Sequence, residues 1–324
     1  MNKQFYQLSI FLTAFLLFFA LAEEKTVAQQ DARYTQYMFN GLLLNPAYAG
    51  SSGNANISAF YRTQWVGLDG APTSITLSGH GALGDDDQVG VGGFLEYDDI
   101  GLHNTLRFFG TYSYHLKIGG GKLGIGLQAG GAMFNADLSQ AQTTGTSGTD
   151  DPVFQNDLSR FMPNFGIGLY YHSERFYLGA SVPQLLTNRL KSGESSISLV
   201  GQQYRHYFFT TGVVLELSEN FKIIPSALVK MVPINAPIQV DLNVNLMFAN
   251  AFWVGSSIRM SEEMNPESLD FLLGFKLKNG LRIGYSYDLT LSDLADFNSG
   301  SHEIGIGFDF GGGGDRRIIT PRYF

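Results

Sequence analysis

Apolar and polar residues alternate over long stretches of this chain. From Ile238 to Phe248 (IQVDLNVNLMF), apolar residues occupy every second position and mostly polar residues the positions between. The same alternation recurs from Leu106 to Leu116, from Leu281 to Leu289 and from Glu303 to Phe310. A period of two is that of a β-strand, because successive side chains of a strand point to opposite faces of the sheet.

The alternation and the turn residues between these stretches predict about fourteen strands. They lie near 55–65, 72–83, 88–97, 102–117, 122–134, 161–172, 175–184, 203–217, 221–232, 238–249, 251–260, 268–277, 280–290 and 301–310. Many are about ten residues long, as a tilted membrane strand requires (~9–11 residues), whereas strands of globular proteins mostly have ~5–6. Short turns follow every second strand, and the longer loops fall between them. We therefore expect an all-β fold, a transmembrane antiparallel outer-membrane β-barrel with short periplasmic turns.

Charged residues of the predicted strands share the face opposite the aromatic residues. They are Arg62, Glu96, Arg107, Asp241, Arg282, Asp288, Glu303 and Asp309. In a membrane barrel that face lines the lumen, where opposite charges tend to pair. The sequence leaves open whether the lumen is a pore or is plugged. Interfacial girdles are the expected place of Trp65, Tyr97, Tyr170, Tyr171 and Trp253.

The ends of the chain have a different character from the strands. Lys3 and the apolar run from Leu8 to Leu21 predict a signal peptide, with cleavage after Ala28 or, alternatively, after Ala22. We expect four parts: a signal peptide at 1–28, an N-terminal leader at 29–54, the barrel at 55–310 and a C-terminal periplasmic strap at 311–324. Two interpretations of the leader stay open: a plug or docking strap for a periplasmic partner, or an N-terminal segment that merely seals the barrel floor.

The composition excludes several kinds of functional site. The 324 residues include no Cys, which excludes disulfides, a thiol nucleophile and cysteine-bound metal, and a net charge of −8 argues against nucleic-acid binding. The six His residues are scattered and form no HExxH motif. We therefore expect no enzyme activity, no cofactor and no metal. Two hypotheses remain: protein–protein binding within the outer membrane, or a pore for small solutes.

The leader carries a long motif. Gln30 to Gly50 reads QDARYTQYMFNGLLLNPAYAG, and YRTQWVG at 61–67 and GAPT at 70–73 follow. Here the chain resembles the PorP/SprF family of type IX secretion membrane proteins from Bacteroidota. The resemblance continues in DPVF at 151–154, PNFG at 163–166, GASVP at 179–183 and PRYF at 321–324. Ala32 and Gly41 depart from it, because the family usually has Pro at these places.

The resemblance implies an outer-membrane component of type IX secretion. Such a protein supports secretion or surface anchoring of a partner, for example a large adhesin in gliding or adhesion. Its implied partners are type IX secretion components, the adhesin and outer-membrane lipid. A general PorP-like role and a dedicated SprF-like role both stay open. The candidate partner-binding or family-motif residues are Gln36, Tyr37, Asn40, Asn45, Pro46, Tyr48, Gly50, Arg62, Gln64, Trp65 and Pro72.

Overall fold

Long antiparallel strands dominate the computed structural model, which describes residues 33–84, 86–137, 139, 142–143, 146–147, 157–191, 199–232, 237–261 and 264–310. The strands of the first half are β1 (Asn56–Thr63), β2 (Thr73–Leu83), β3 (Val89–Ile100), β4 (His103–Ile118), β5 (Gly121–Ala136), β6 (Gln142–Thr143), β7 (Thr146–Ser147), β8 (Leu158–His172) and β9 (Phe176–Val182). Those of the second half are β10 (Arg189–Lys191), β11 (Leu199–Gln202), β12 (Tyr207–Val213), β13 (Leu215–Ser218), β14 (Phe221–Met231), β15 (Gln239–Phe248), β16 (Phe252–Ser261), β17 (Asn265–Lys276), β18 (Leu281–Thr290) and β19 (Ser301–Asp309).

The strands close into one barrel. Each wall strand pairs antiparallel with its neighbours, and β1 pairs with both β2 and β19, which joins the two ends of the sheet. Strands β12 and β13 form a single wall strand that is interrupted at Val214, so the described wall has fourteen strands. The hairpins β6–β7 and β10–β11 belong to loops and stand outside the wall. The prediction of a 14-stranded antiparallel barrel is confirmed.

Alternate residues of each strand face the lumen and the lipid. In β1, Ser58, Phe60 and Arg62 are buried, whereas Ile57 and Tyr61 lie on the exposed outer face. All eight charged residues assigned to the inner face by the sequence pattern do line the lumen, although Asp309 is only half-buried. The pattern predicts these faces correctly because lipid accepts apolar side chains, while the lumen offers polar partners.

Two of the predicted girdle residues point the other way. Trp253 is 2% exposed and Tyr170 is 6% exposed, and both face the lumen. Their neighbours Phe252 and Val254, and Tyr171 beside Tyr170, turn toward the outer face. The girdle prediction was wrong for these two residues because lumenal aromatic partners, described below, outweigh the preference of aromatic rings for the interface.

The two ends of the barrel differ. At one end, β4 and β5 are joined by Gly119 and Gly120 alone, and β15 and β16 by the three residues 249–251. At the other, longer connections join β5 to β8, β9 to β12 and β18 to β19. Short turns belong on the periplasmic side and long loops outside, so β1 begins at the periplasmic end with Asn56. Among the described residues, no helix is long and apolar enough to cross a membrane.

The signal peptide, its alternative cleavage sites, the first residues of the leader and the C-terminal strap lie outside the described residues.

Candidate functional site

The described part of the leader, residues 33–54, runs through the barrel lumen from the outer half to the periplasmic end. It folds into three single 3-10 turns, Tyr37–Phe39, Gly41–Leu43 and Pro46–Tyr48. The third turn follows from its local sequence. Proline suits the first position of a turn because its φ is fixed, and the Asn45 side chain accepts a hydrogen bond from Ala47 N at 2.9 Å.

A buried carboxylate fastens the outer half of the leader. Glu303 on β19, with 0% exposure, accepts hydrogen bonds from the backbone N–H groups of Thr35 and Gln36 at 2.9 and 3.0 Å. The Gln36 amide in turn donates to the Glu303 carbonyl at 3.2 Å. These bonds tie the start of the leader to the last strand of the barrel, more than 260 residues away in the sequence.

Arg62 compensates the charge of this carboxylate. Its guanidinium lies 3.1 Å from Glu303 Oε2 and 2.6 Å from Asp288 Oδ2, and it also donates to the Thr35 hydroxyl at 3.0 Å. Thr35 Oγ1 lies 2.7 to 2.8 Å from the two carboxylate oxygens of Asp288. Leader and wall thus share one buried hydrogen-bonded network, which we call the outer anchor: Thr35, Gln36, Arg62, Asp288 and Glu303.

Further ion pairs surround the outer anchor. Arg259 binds Asp241 at 3.1 Å, and Arg33 of the leader pairs with Glu267 near the outer rim. Arg107 pairs with Glu96, which also accepts a hydrogen bond from the Tyr34 hydroxyl at 3.0 Å. The expected pairing of opposite charges across the lumen is therefore observed.

The inner half of the leader lies directly against the backbone of the wall. A Cβ atom built on Gly126 of β5 would overlap the Ala47 backbone nitrogen, and one built on Gly90 of β3 would overlap the Ala49 carbonyl. The Ala49 carbonyl accepts a hydrogen bond from Ser113 at 2.6 Å. We call this contact the inner seat: residues 45–50 against the lumenal faces of β3, β4, β5 and β8. Only glycine permits so close an approach between two backbones.

Aromatic rings of the wall pack against the leader, both between these two contacts and at the inner seat. Phe39 lies 5.1 Å from Trp253, centroid to centroid, in a buried cluster with Phe60 and Leu272. Tyr48 packs edge-on against Tyr170, with the ring centroids 5.3 Å apart. Tilted or edge-on contacts between rings are favourable beyond the area that they bury. Trp253 and Tyr170 therefore bind the leader from inside the lumen instead of lying in the lipid interface.

Cavities of about 20 to 50 Å³, several of them adjoining, lie between leader and wall. A water molecule needs ~10–15 Å³, so each of these cavities has room for a few waters. In the described part of the chain, no three His, Asp or Glu side chains stand close enough to share a metal ion. The fastening of the leader at both ends is the arrangement expected of a plug.

The candidate residues from the sequence fall into two groups. The structure brings eight of them together along the leader and its anchor: Gln36, Tyr37, Asn40, Asn45, Pro46, Tyr48, Gly50 and Arg62. It leaves Gln64, Trp65 and Pro72 apart from these, at the outer loop between β1 and β2. There the Gln64 N–H donates to the Pro72 carbonyl at 2.9 Å, and the Trp65 N–H to the Ser301 hydroxyl at 3.1 Å.

Sequence reasoning missed the partners of the leader on the wall. Asp288 and Glu303 were predicted to face the lumen, but nothing in the sequence linked them to Thr35 and Gln36. The pattern of alternating residues was one indication, because it puts both carboxylates on the inner face of adjacent strands. Glycines at alternate positions of β5 (Gly124 and Gly126) were a second signal, because a strand without inward side chains leaves room for another backbone.

The chain is similar in sequence to a known family and in fold to a solved transporter structure. The sequence model of the family described as type IX secretion system membrane protein PorP/SprF matches residues 26–308. The Ralstonia pickettii toluene transporter TbuX is 12% identical, with a TM-score of 0.51, over 83% of this chain and 92% of that one. The Acinetobacter baumannii outer membrane protein Omp33 is 9% identical, with a TM-score of 0.46, over 81% and 100%. No curated protein sequence matches the chain significantly.

Proposed function

Because this chain belongs to the PorP/SprF family of type IX secretion system membrane proteins, we propose that it works without enzyme activity as a plugged docking barrel. In this role it supports secretion or surface anchoring of a partner protein, such as a large adhesin used in gliding or adhesion. Family membership makes it an integral outer-membrane component of the secretion system. Beyond this membership, we propose that the protein acts by protein–protein binding and that its client is the secreted partner protein.

The observation that carries the proposal is the fastening of the leader. A barrel that lets solutes diffuse through it, as a porin does, needs a continuous water-filled lumen. Here the lumen holds a leader that is fixed by a buried ion network at one end and by backbone contact at the other. With the lumen occupied, the surfaces that remain for function are the loops, the rims and the outer wall.

A pore for small solutes is the second candidate. It is favoured by the shape of the barrel, which is similar to that of a toluene transporter. A likeness at 12% identity speaks only for the fold, however, and fold does not determine function. The leader, which is hydrogen-bonded to the wall inside the lumen, weighs against a pore unless it moves.

The test is affinity purification of tagged protein from its native outer membrane in mild detergent, followed by mass spectrometry. We expect type IX secretion components and a large secreted surface protein to co-purify. Recovery of one dedicated client would indicate an SprF-like role, and recovery of many clients a PorP-like role. An untagged strain is the control. A barrel that purifies alone, in amounts that silver staining detects easily, would contradict the proposal.

A further inference from the structure

Three buried histidines surround the end of the leader. His80 of β2, His115 of β4 and His172 of β8 all face the lumen, and each is at most 7% exposed. Each lies within three residues of the periplasmic end of its strand. We call these three residues the histidine collar. It surrounds residues 48–50, where the leader leaves the lumen.

His80 accepts a hydrogen bond from the leader. The backbone N–H of Gly50 donates to His80 Nδ1 at 3.1 Å. Because a backbone N–H can only donate, Nδ1 carries no proton and the ring is neutral. The Tyr48 ring packs edge-on against the same imidazole, with the centroids 5.3 Å apart. The hydrogen bond from Gly50 therefore exists only while His80 is uncharged.

His115 binds the preceding leader residue in the opposite sense. A carbonyl can only accept, so His115 Nε2 carries the ring proton and donates to the Ala49 carbonyl at 2.9 Å. The other ring nitrogen, Nδ1, is buried and has no hydrogen-bond partner among the described residues. A second proton on this ring would be a buried donor without an acceptor, which is unfavourable. The neutral form of His115 is therefore the one that fits this place.

Few charges near the collar could compensate a protonated ring. The titratable groups that face it in the described part of the chain are Tyr48 of the leader, Tyr170 and His172 of β8, Asp87 in the turn between β2 and β3, and Lys122 of β5. Asp87 is the one carboxylate in this group, and it lies 4.0 Å from the Lys122 ammonium. The residues opposite His80 on β1 and β3 are the uncharged Asn56 and Gly92. Protonation of the collar would therefore add positive charge beside a lysine.

We infer that the histidine collar is a proton-sensitive latch, which binds residues 48–50 of the leader while its rings are neutral and releases them when the periplasmic side becomes acidic. A protonated His80 would turn an N–H toward the N–H of Gly50, so that two donors would face each other. Free histidine changes charge at about pH 6.5. Because the neutral rings make the contacts, the latch is closed at pH 8 and opens as the pH falls through the histidine range.

The latch acts on the inner half of the leader alone. The outer anchor contains no histidine, so that it keeps Thr35 and Gln36 in place when the collar is protonated. Release therefore frees the leader at the periplasmic end. It goes beyond the proposed function, since it is independent of which client the protein binds.

The test is hydrogen–deuterium exchange of the detergent-solubilised barrel at pH 8 and pH 5, read by mass spectrometry, with labelling times that offset the intrinsic pH dependence of exchange. For each proton taken up on release, the opening equilibrium shifts about tenfold per pH unit. We expect leader peptides that cover 45–51 to lose about tenfold or more in protection at pH 5, and wall peptides from β15 and β16 to keep theirs. Equal protection of the leader at both pH values would overturn the inference. An equal loss in the wall would also overturn it, because acid would then loosen the whole barrel.

Substitutions that keep the hydrogen bonds but take up no proton sharpen the test. His80→Asn retains an acceptor near the position of Nδ1, and His115→Gln retains an N–H donor near that of Nε2. We expect the double variant to lose most of the pH response of the leader. His302→Gln is the matched control, since His302 of β19 bonds to the Tyr285 hydroxyl away from the collar, and it should keep the full response. An undiminished response in the double variant would overturn the latch.

A variant without the acceptor tests the bond itself. His80→Ala leaves the Gly50 N–H without its partner and adds no charge. We expect the leader to be less protected than in the wild-type protein already at pH 8, and its further loss at pH 5 to be smaller. Wild-type protection at pH 8 in this variant would overturn the inference. Variants are compared as heat-modifiable barrels; if none of them folds, the wild-type comparison of leader and wall decides.

Discussion

The two halves of the leader are held by different physical means. The outer anchor joins Thr35 and Gln36 to Arg62, Asp288 and Glu303 through charged hydrogen bonds. The inner seat places residues 45–50 against glycines of the wall, with little charge involved. The outer anchor is stable because its buried charges compensate one another. The inner seat forms because the wall glycines have no side chains.

The difference teaches how each half can be disturbed. A buried ion network is stable only while its charges balance, so that removal of one member leaves the others desolvated and unpaired. The contact between Gly126 and the Ala47 backbone cannot be weakened by degrees, because an added side chain and that backbone cannot occupy the same volume. We therefore expect substitutions at the inner seat to expel the leader, and substitutions at the outer anchor to weaken it by graded amounts.

The largest effect is expected from Gly126→Leu. Its side chain would occupy the volume of the Ala47 backbone, so the inner seat cannot form and residues 40–50 should become accessible to protease in the detergent-solubilised barrel. Gly110→Leu is the matched control, since Gly110 faces outward and a Cβ there meets nothing closer than 4.0 Å. The measurement is limited proteolysis with mass spectrometry of the fragments. Equal protection in both variants would contradict the backbone contact.

The next effect is expected from Arg62→Met. The substitution leaves Glu303 buried without its cation and Asp288 with only Arg259, 4.0 Å away, which costs on the order of 3–5 kcal/mol of unfolding free energy. The measurement is the urea midpoint of the heat-modifiable barrel. We expect the double variant Arg62→Met with Glu303→Gln to recover part of the lost stability, because it removes the unpaired negative charge. A loss below about 1 kcal/mol in Arg62→Met alone would contradict a desolvated network.

The smallest effect is expected from Arg33→Ala. Arg33 and Glu267 keep about a fifth to a quarter of their side-chain surface exposed, so water screens the pair. Pairs of this kind contribute about 0–1 kcal/mol. The same urea titration should therefore separate Arg33→Ala clearly from Arg62→Met. Equal losses in the two variants would contradict the distinction between a rim pair and the outer anchor.

The wall could be predicted from the sequence far better than the leader. Strands and faces follow from alternation, since lipid and lumen impose opposite requirements on successive residues. The same rule puts Trp253 inside, between the outward Phe252 and Val254, and the error came from letting the girdle preference of Trp override it. The alternation therefore predicts the face of an aromatic residue better than its preference for the membrane interface does.

The path of the leader could not be predicted because its residues have no period. Its contacts join Thr35 to Glu303 and Ala47 to Gly126, positions that come together only once the barrel is closed. The early end of β9 was also hidden. Residues 175–184 alternate well enough for a full strand, and the tertiary bonds of Asn164 and Gln128 determine where it leaves the ladder.

The most direct test of the central claim, a barrel sealed by its leader, is the conductance of the purified protein in a planar bilayer. We predict no steady open-channel current for the wild-type protein, and ohmic steps for Gly126→Leu, in which the inner seat is lost. A stable conductance of porin size in the wild-type protein would contradict the account and would make the solute pore the better interpretation.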